Sequence, residues 1–245
     1  MHDVEARPER WRTLTRALGE ILVTGGLVVL LFAVYEVYIT DLFTDHRQGQ
    51  LSQELHQQWT QDRNTPRTSV LGNAFAVLHI PRIDPNYERV VLQGTAEEEL
   101  KQGPGHYIGT AMPGQQGNVS FAGHRVGKGS PFLDLDTLRP GDPIVVETAD
   151  SWFVYRVLGD PATGDFTSDP SGIPGQEIVD PSDIEVIAPT PGGASDGAPT
   201  GAYLTLTTCH PKYSAHKRLI IHARLDGAGA SKAALPDGPA ALNEH

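Results

Sequence analysis

The chain has 245 residues, with 30 acidic and 19 basic side chains and a formal net charge of -11, which excludes a nucleic-acid binder needing a basic stripe to neutralise phosphates. Its 39% apolar share and 26 glycines are ordinary for a protein that buries a core, so wholesale disorder is excluded. A single cysteine, Cys209, excludes an internal disulfide scaffold.

Residues 1–17 carry Arg7, Arg10, Arg12 and Arg16 and read as a cytoplasmic tail. An uncharged run over 21–35 follows, and residues 18–39 reach about 33 Å as a helix, enough for a hydrocarbon core of about 30 Å. The next basic residue is Arg47, and Tyr35 and Tyr38 suit the far headgroup level, so the bulk of the chain is expected outside a single-pass cell membrane. A cleaved signal peptide is the rival, but residues 33–45 offer no small-x-small cleavage site.

Residues 40–73 are polar and read as a stalk with a short helix, marked by Leu51, Leu55 and Trp59 at helical spacing. Strands are expected at 75–83 and 90–92, and Thr95 with Glu98 suggests a capping box opening a helix to Gln102. After a glycine-rich stretch come a strand at 118–122, a helical turn within 130–138, and a hairpin formed by 143–148 and 152–158. A long acidic, proline-rich connection over 159–201 holds only the apolar segment 184–187. Two more strands, 203–209 and 218–225, complete a folded region spanning 74–226. Residues 227–245 are Ala, Gly and Pro without periodicity and are expected to be a disordered tail. Seven or eight short strands with few helices point to a mainly β protein, a closed or nearly closed β-barrel.

Side-chain alternation then separates the reactive residues from the core. In Y-L-T-L-T-T-C, Leu204 and Leu206 share one face, so Cys209 faces away with Tyr203, Thr205 and Thr207. In K-R-L-I-I-H-A-R-L, the apolar set Leu219, Ile221, Ala223 and Leu225 leaves Arg218 opposite. In N-V-S-F-A-G-H-R, Val119 and Phe121 leave His124 at a strand end, also off the core. A thiolate is a strong nucleophile, an imidazole can move the proton, and a guanidinium can stabilise an oxyanion. Taken singly each has a plainer reading: a buried free cysteine, one of ten histidines, a solvated cation. His210 reads as structural. Metal binding by His106, His210, His216 and His222, or calcium binding by Asp160, Asp165, Asp169, Asp180 and Asp183, lacks the spacing of a dedicated site, so neither a metal nor a cofactor is expected.

These residues resemble the sortases, membrane-anchored cysteine transpeptidases of Gram-positive bacteria. The likeness rests on T-L-T-T-C-H-P (205–211), on G-H-R around His124, on the run 103–125 leading to it, and on Arg218 in R-L-I-I; it covers roughly 75–225. The resemblance implies an eight-stranded β-barrel with its site on the outer face. By resemblance, Cys209 attacks the threonine carbonyl of an L-P-x-T-G-like sorting signal on a surface protein, and an amine of a peptidoglycan precursor resolves the thioacyl enzyme. His124 is then the general acid and base, and Arg218 holds the carbonyl or its oxyanion. The C-H-P context and the composition look most like the class E housekeeping sortases of actinobacteria, for which an L-A-x-T-G signal is expected. Tyr107 is a candidate for lining the substrate groove, against a packing tyrosine, and Thr208 for touching the substrate threonine. Two rival readings stand beside this one: a surface cysteine peptidase using water, and a non-catalytic tethered binding barrel.

Overall fold

The computed structural model describes residues 9–35, 40–62 and 74–244. Helix α1 (Glu9–Val34) has mean hydropathy 2.3 in its most apolar stretch, none of it buried against the rest of the chain. By length and composition it can cross a membrane. It begins inside the expected tail, and Arg16 pairs with Glu20 at 3.0 Å, one turn apart, so the carboxylate at the mouth of the apolar run has a counterion. Residues 36–39, the end of the expected span, lie outside the described residues.

The stalk expectation needs correcting over residues 40–62, while residues 63–73 lie outside the described residues. Residues Thr40–Asp62 form one long helix, α2, which lies on the domain. The stripe Leu51, Leu55 and Trp59 packs on Ala74, Val77 and Val90, and Gln48 accepts from the Val90 amide at 2.7 Å. Arg89 pairs with Asp45 at 2.9 Å. The stripe was visible in sequence, but its partner lies some twenty to forty residues further on, beyond any local pattern.

Among the described residues ten strands follow: β1 (Ala74–His79), β2 (Arg89–Gln93), β3 (Gly105–His106), β4 (Gly117–Ala122), β5 (Pro143–Glu147), β6 (Ser151–Val157), β7 (Gln176–Val179), β8 (Ala202–His210), β9 (Lys217–Leu225) and β10 (Ala230–Ser231). Eight close into a barrel in the order β6-β5-β1-β2-β3-β4-β8-β9, with β9 returning to β6. Strands β7 and β10 are added outside, on β9 and β6. The ring is antiparallel except at β2–β3 and β4–β8. Its interior is filled by alternating apolar side chains such as Leu78, Phe121, Ile144, Tyr155, Leu206 and Ile221, all fully buried.

Local details differ from the sequence reading. Strand β1 stops at His79 because Pro81 has no amide to donate, and the chain turns there with Ile83 N bonded to Ile80 O at 3.0 Å. The expected capping box is not formed. Helix α3 (Glu97–Leu100) starts at Ala96 with no side-chain cap, and Glu98 pairs with Lys101 at 3.0 Å instead. The connection 159–201 is folded rather than loose, supplying β7 and a 3-10 turn at Ile184–Ile187 that close over the barrel wall.

The tail from 227, expected to be disordered, is ordered by tertiary contacts. Strand β10 pairs Ala230 with Trp152, Ala241 is buried against Val145 and Trp152, and the Trp152 indole donates to Leu235 O at 3.0 Å. These anchors are isolated residues separated by turns, so they leave no period in the sequence.

One tail residue joins a buried charge cluster beneath α2. Glu147, with 4% of its side chain exposed, meets Lys232 Nζ at 2.6 Å and His56 and His79 Nε2 at 2.9 Å each. Lys232 also lies 4.0 Å over the Trp59 ring. Hydrogen bonding to Glu147 raises the His56 pKa above its ordinary 6.5 although burial opposes it. Burial pushes the Glu147 carboxyl up, but its hydrogen bonds with His56, His79 and Lys232 outweigh that and hold it far below 4.5. The His56 contribution is complete below pH 6.5 and lost as pH rises through the raised folded value. The Glu147 contribution is complete above pH 4.5 and lost as pH falls through the depressed one. Thermal melts are therefore expected to peak between those two values. Glu147→Gln is expected to cost about 3 kcal/mol and to flatten the profile, since it strands Lys232 in a mostly buried site; an unchanged profile would remove the cluster from this role.

Candidate functional site

The site is built around one strand and its two neighbours. Strand β8 runs between β4, parallel to it, and β9, antiparallel. On the β9 side Cys209 is paired directly with Arg218. On the β4 side Ala122 is level with Thr207, and Gly123 N continues the ladder to Thr207 O at 3.1 Å. Carried two residues on, that register sets His124 level with Cys209. Residues 85 and nine positions from the cysteine thus arrive on either side of it.

Each is held there for a local reason. Gly123 is needed because a side chain would press into the Phe132 ring, 2.5 Å from where its Cβ would sit. Phe132 is fully buried and its amide donates to His124 O at 3.1 Å, fixing the turn that presents the imidazole. Cys209 is partly exposed and therefore reachable. Nε2 of His124 is buried without a hydrogen-bond partner, leaving one ring nitrogen uncommitted. Burial and then the charge of Lys128 lower the His124 pKa below 6.5, against a smaller opposing pull from Glu97. The resting imidazole is neutral at neutral pH, the form that accepts a proton. Arg218 is tied by Nη1 to Ala215 O at 3.1 Å and Lys217 O at 3.0 Å, so one edge of its fork is anchored in the β8–β9 turn.

Tyr107 leaves β3 with its amide bonded to Ser120 O at 2.9 Å, and its hydroxyl meets Thr207 Oγ1 at 3.0 Å. Thr207 shares the Cys209 face, so the phenol stands about 7 Å along the strand from the thiol. Thr208 does not join them. Its side chain is buried on the other face and its hydroxyl donates to Gly123 O at 2.8 Å. It braces the His124 turn, and its hydroxyl is not a group for touching substrate on the Cys209 face, as strand alternation itself requires.

The outer face of β8 is less open than alternation suggested. His222 and Thr205 are fully buried. His222 Nδ1 and Thr205 Oγ1 lie 2.9 Å apart, His222 Nε2 is 3.1 Å from Glu177 on β7, and Thr205 donates to Asn118 at 2.8 Å. Asn118 in turn donates to the carbonyls of Val186 and Ala188. This polar layer pins the connection 159–201 to the wall and leaves only the Cys209 end of the strand uncovered. A cavity of about 570 Å³ lined by Ile108, Thr110, Asn118, Ile184 and Ile187 opens beside that layer, well down the strand from the thiol.

His106, His210 and His222 are separately engaged: His106 with Gln93 and Ala111, His210 with Arg125, His222 as above. Among the described residues no three His, Cys, Asp or Glu side chains are grouped to hold a metal. Asp160, Asp165 and Asp169 accept hydrogen bonds within their own turns, from Ala162, Thr167 and Ser171 at 2.8–2.9 Å. Sequence reasoning missed Arg125, which follows His124 and is buried beneath Cys209. It stood in the G-H-R motif, but only the structure shows a charged side chain turned inward there.

Comparison with known proteins points to one family. A family model described as Sortase domain matches residues 78–226. Sortase SrtE1 of Streptomyces coelicolor is 34% identical over 220 residues, 86% of this chain but 57% of that protein, so the chain spans little more than half of that relative. The solved SrtF sortase from Corynebacterium diphtheriae aligns with a TM-score of 0.64 at 35% identity, covering 74% of this chain and 98% of its own. Sortase E from Streptomyces avermitilis aligns with a TM-score of 0.55 at 38% identity, covering 70% and 97%.

Proposed function

The chain belongs to the sortase family, and we propose that it is a membrane-anchored cysteine transpeptidase that processes a sorting signal of the L-P-x-T-G or L-A-x-T-G type. The observation that carries this reading is the direct pairing of Cys209 with Arg218 across β8 and β9, beside a β4–β8 register that, extended past Ala122, leads to His124 at the level of Cys209. The Cys209 sulfur attacks the threonine carbonyl carbon, and its proton passes to the neutral His124. Arg218 holds the developing oxyanion. The C–N bond to glycine breaks, His124 returns the proton to the leaving amine, and a thioester remains on Cys209. A cell-wall amine then attacks the thioester and gives its proton to His124, the C–S bond breaks to release the new amide, and His124 passes that proton to the departing Cys209 sulfur, restoring thiol and neutral imidazole. No cofactor is required by this scheme.

The resemblance to the class E sortases implies the L-A-x-T-G form of the signal, and Tyr107 lines the groove beside Thr207 in this reading. Helix α1, with Arg12 and Arg16 at its start, anchors the chain and leaves the barrel outside, which protease digestion of intact protoplasts down to a short membrane fragment checks. Incubation with an L-A-x-T-G peptide is expected to add the acyl fragment to Cys209 by mass, and an added amine to convert it to a ligated product. An adduct that yields only hydrolysed peptide would make the protein a peptidase using water, and no adduct at all would leave a binding barrel.

A further inference from the structure

We infer that Arg125 is a positioning residue whose planar guanidinium locks the Cys209 backbone against the segment that carries His124. The side chain is 2% exposed and all three of its nitrogens are engaged. Nη1 lies 3.4 Å from Cys209 O and 3.1 Å from Nδ1 of His210, Nε lies 3.4 Å from Leu133 O, and Nη2 pairs with Asp136 at 2.9 Å. The inference rests on the reading of Cys209 as nucleophile and His124 as its proton partner.

Burying a guanidinium against a half-exposed carboxylate is expensive for stability alone, and an apolar side chain would fill the same space at less cost. What only an arginine supplies here is a rigid fork with donors pointing three ways. Nη1 leads to the carbonyl of the nucleophile and to the residue after it, while Nε and Nη2 lead to Leu133 and Asp136 of the 130–138 segment that also holds His124 through Phe132. The backbone ladder between β4 and β8 reaches Gly123 N and Thr207 O. Arg125 extends the connection beyond that point, to where thiol and imidazole must meet. Because reaction geometry is sensitive to displacements of about 1 Å, slackening this tie should slow the chemical step while leaving peptide binding alone.

The test is single-turnover formation of the thioacyl enzyme with an L-A-x-T-G peptide, measured well below each variant's melting temperature. Arg125→Met, which keeps the apolar stem, is expected to lower the saturating acylation rate about ten- to thirtyfold with the half-saturating peptide concentration within twofold of wild type. Arg125→Lys, with charge but no fork, is expected to fall about three- to tenfold. Asp136→Asn is a surface change, since Asp136 is 42% exposed, and should fall about threefold even if the Arg125 variants do not accumulate. Wild-type acylation rates in the folded Arg125→Lys or Asp136→Asn protein would overturn the inference, as would a purely KM effect. If wild type itself forms no adduct, it is the assignment of Cys209 that has failed.

Discussion

Cys209→Ala is expected to lose both cleavage and ligation of a sorting-signal peptide by at least about ten-thousand-fold while melting within about 0.5 kcal/mol of wild type. The first half follows from chemistry: alanine offers nothing to form the thioester, and neither His124 nor Arg218 can attack a carbonyl carbon in its place. The second half follows from packing. The Cys209 side chain lies off the core and is partly exposed, so its removal opens no cavity. What the structure does take from this residue is its backbone, through the strand pairing with Arg218 and the Arg125 contact to its carbonyl, and alanine keeps both. The measurement is the ligated product by mass spectrometry beside a thermal melt. Residual ligation would move the nucleophile elsewhere, and collapse of the fold would make the thiol a structural group.

Alternation along β8 and β9 was legible because it is a local property: two leucines on one face suffice to place Cys209 on the other, and four apolar residues do the same for Arg218. Their direct pairing was also within reach, since the strands are joined by a short turn. The arrival of His124 was not. It depends on a parallel pairing of β4 with β8 across 85 residues, and no spacing in the sequence encodes which strands become neighbours around a closed ring. The resemblance of G-H-R and T-L-T-T-C to one family supplied what physics of the local chain left open. The same limit explains the two larger misreadings. Helix α2 and the tail beyond 227 look like a stalk and a loose end because each keeps only a few apolar anchors, and those anchors acquire value when Ala74, Val90, Trp152 and Val145 are already in place. Arg125 is harder still. A buried arginine reads in sequence as a surface charge, and only its ring of acceptors reveals otherwise.

Arg218→Lys is expected to fail nearly as badly as Arg218→Ala, with acylation slowed about a hundred- to a thousandfold, or about 3 to 4 kcal/mol. Both roles open to this residue need positive charge, and they part over geometry. Were Arg218 only to favour the Cys209 thiolate through space, an ammonium at the same register position would serve almost as well. The proposal takes the stricter role. Nη1 is already engaged by the carbonyls of Ala215 and Lys217, which leaves Nε and Nη2 as the donors for an oxyanion. In the proposed reaction, an oxyanion forming on a carbonyl attacked by Cys209, the direct strand partner of Arg218, would meet a guanidinium already tied to the turn. Lysine has one nitrogen on a flexible stem; if it satisfies the turn it deserts the oxyanion, and if it reaches the oxyanion it frees the turn. Comparing single-turnover acylation of wild type, Arg218→Lys and Arg218→Ala on one peptide, with melts to confirm equal folding, separates the two roles. Near wild-type acylation in Arg218→Lys would reduce Arg218 to a general positive charge, whereas matched losses in both variants require the oriented fork.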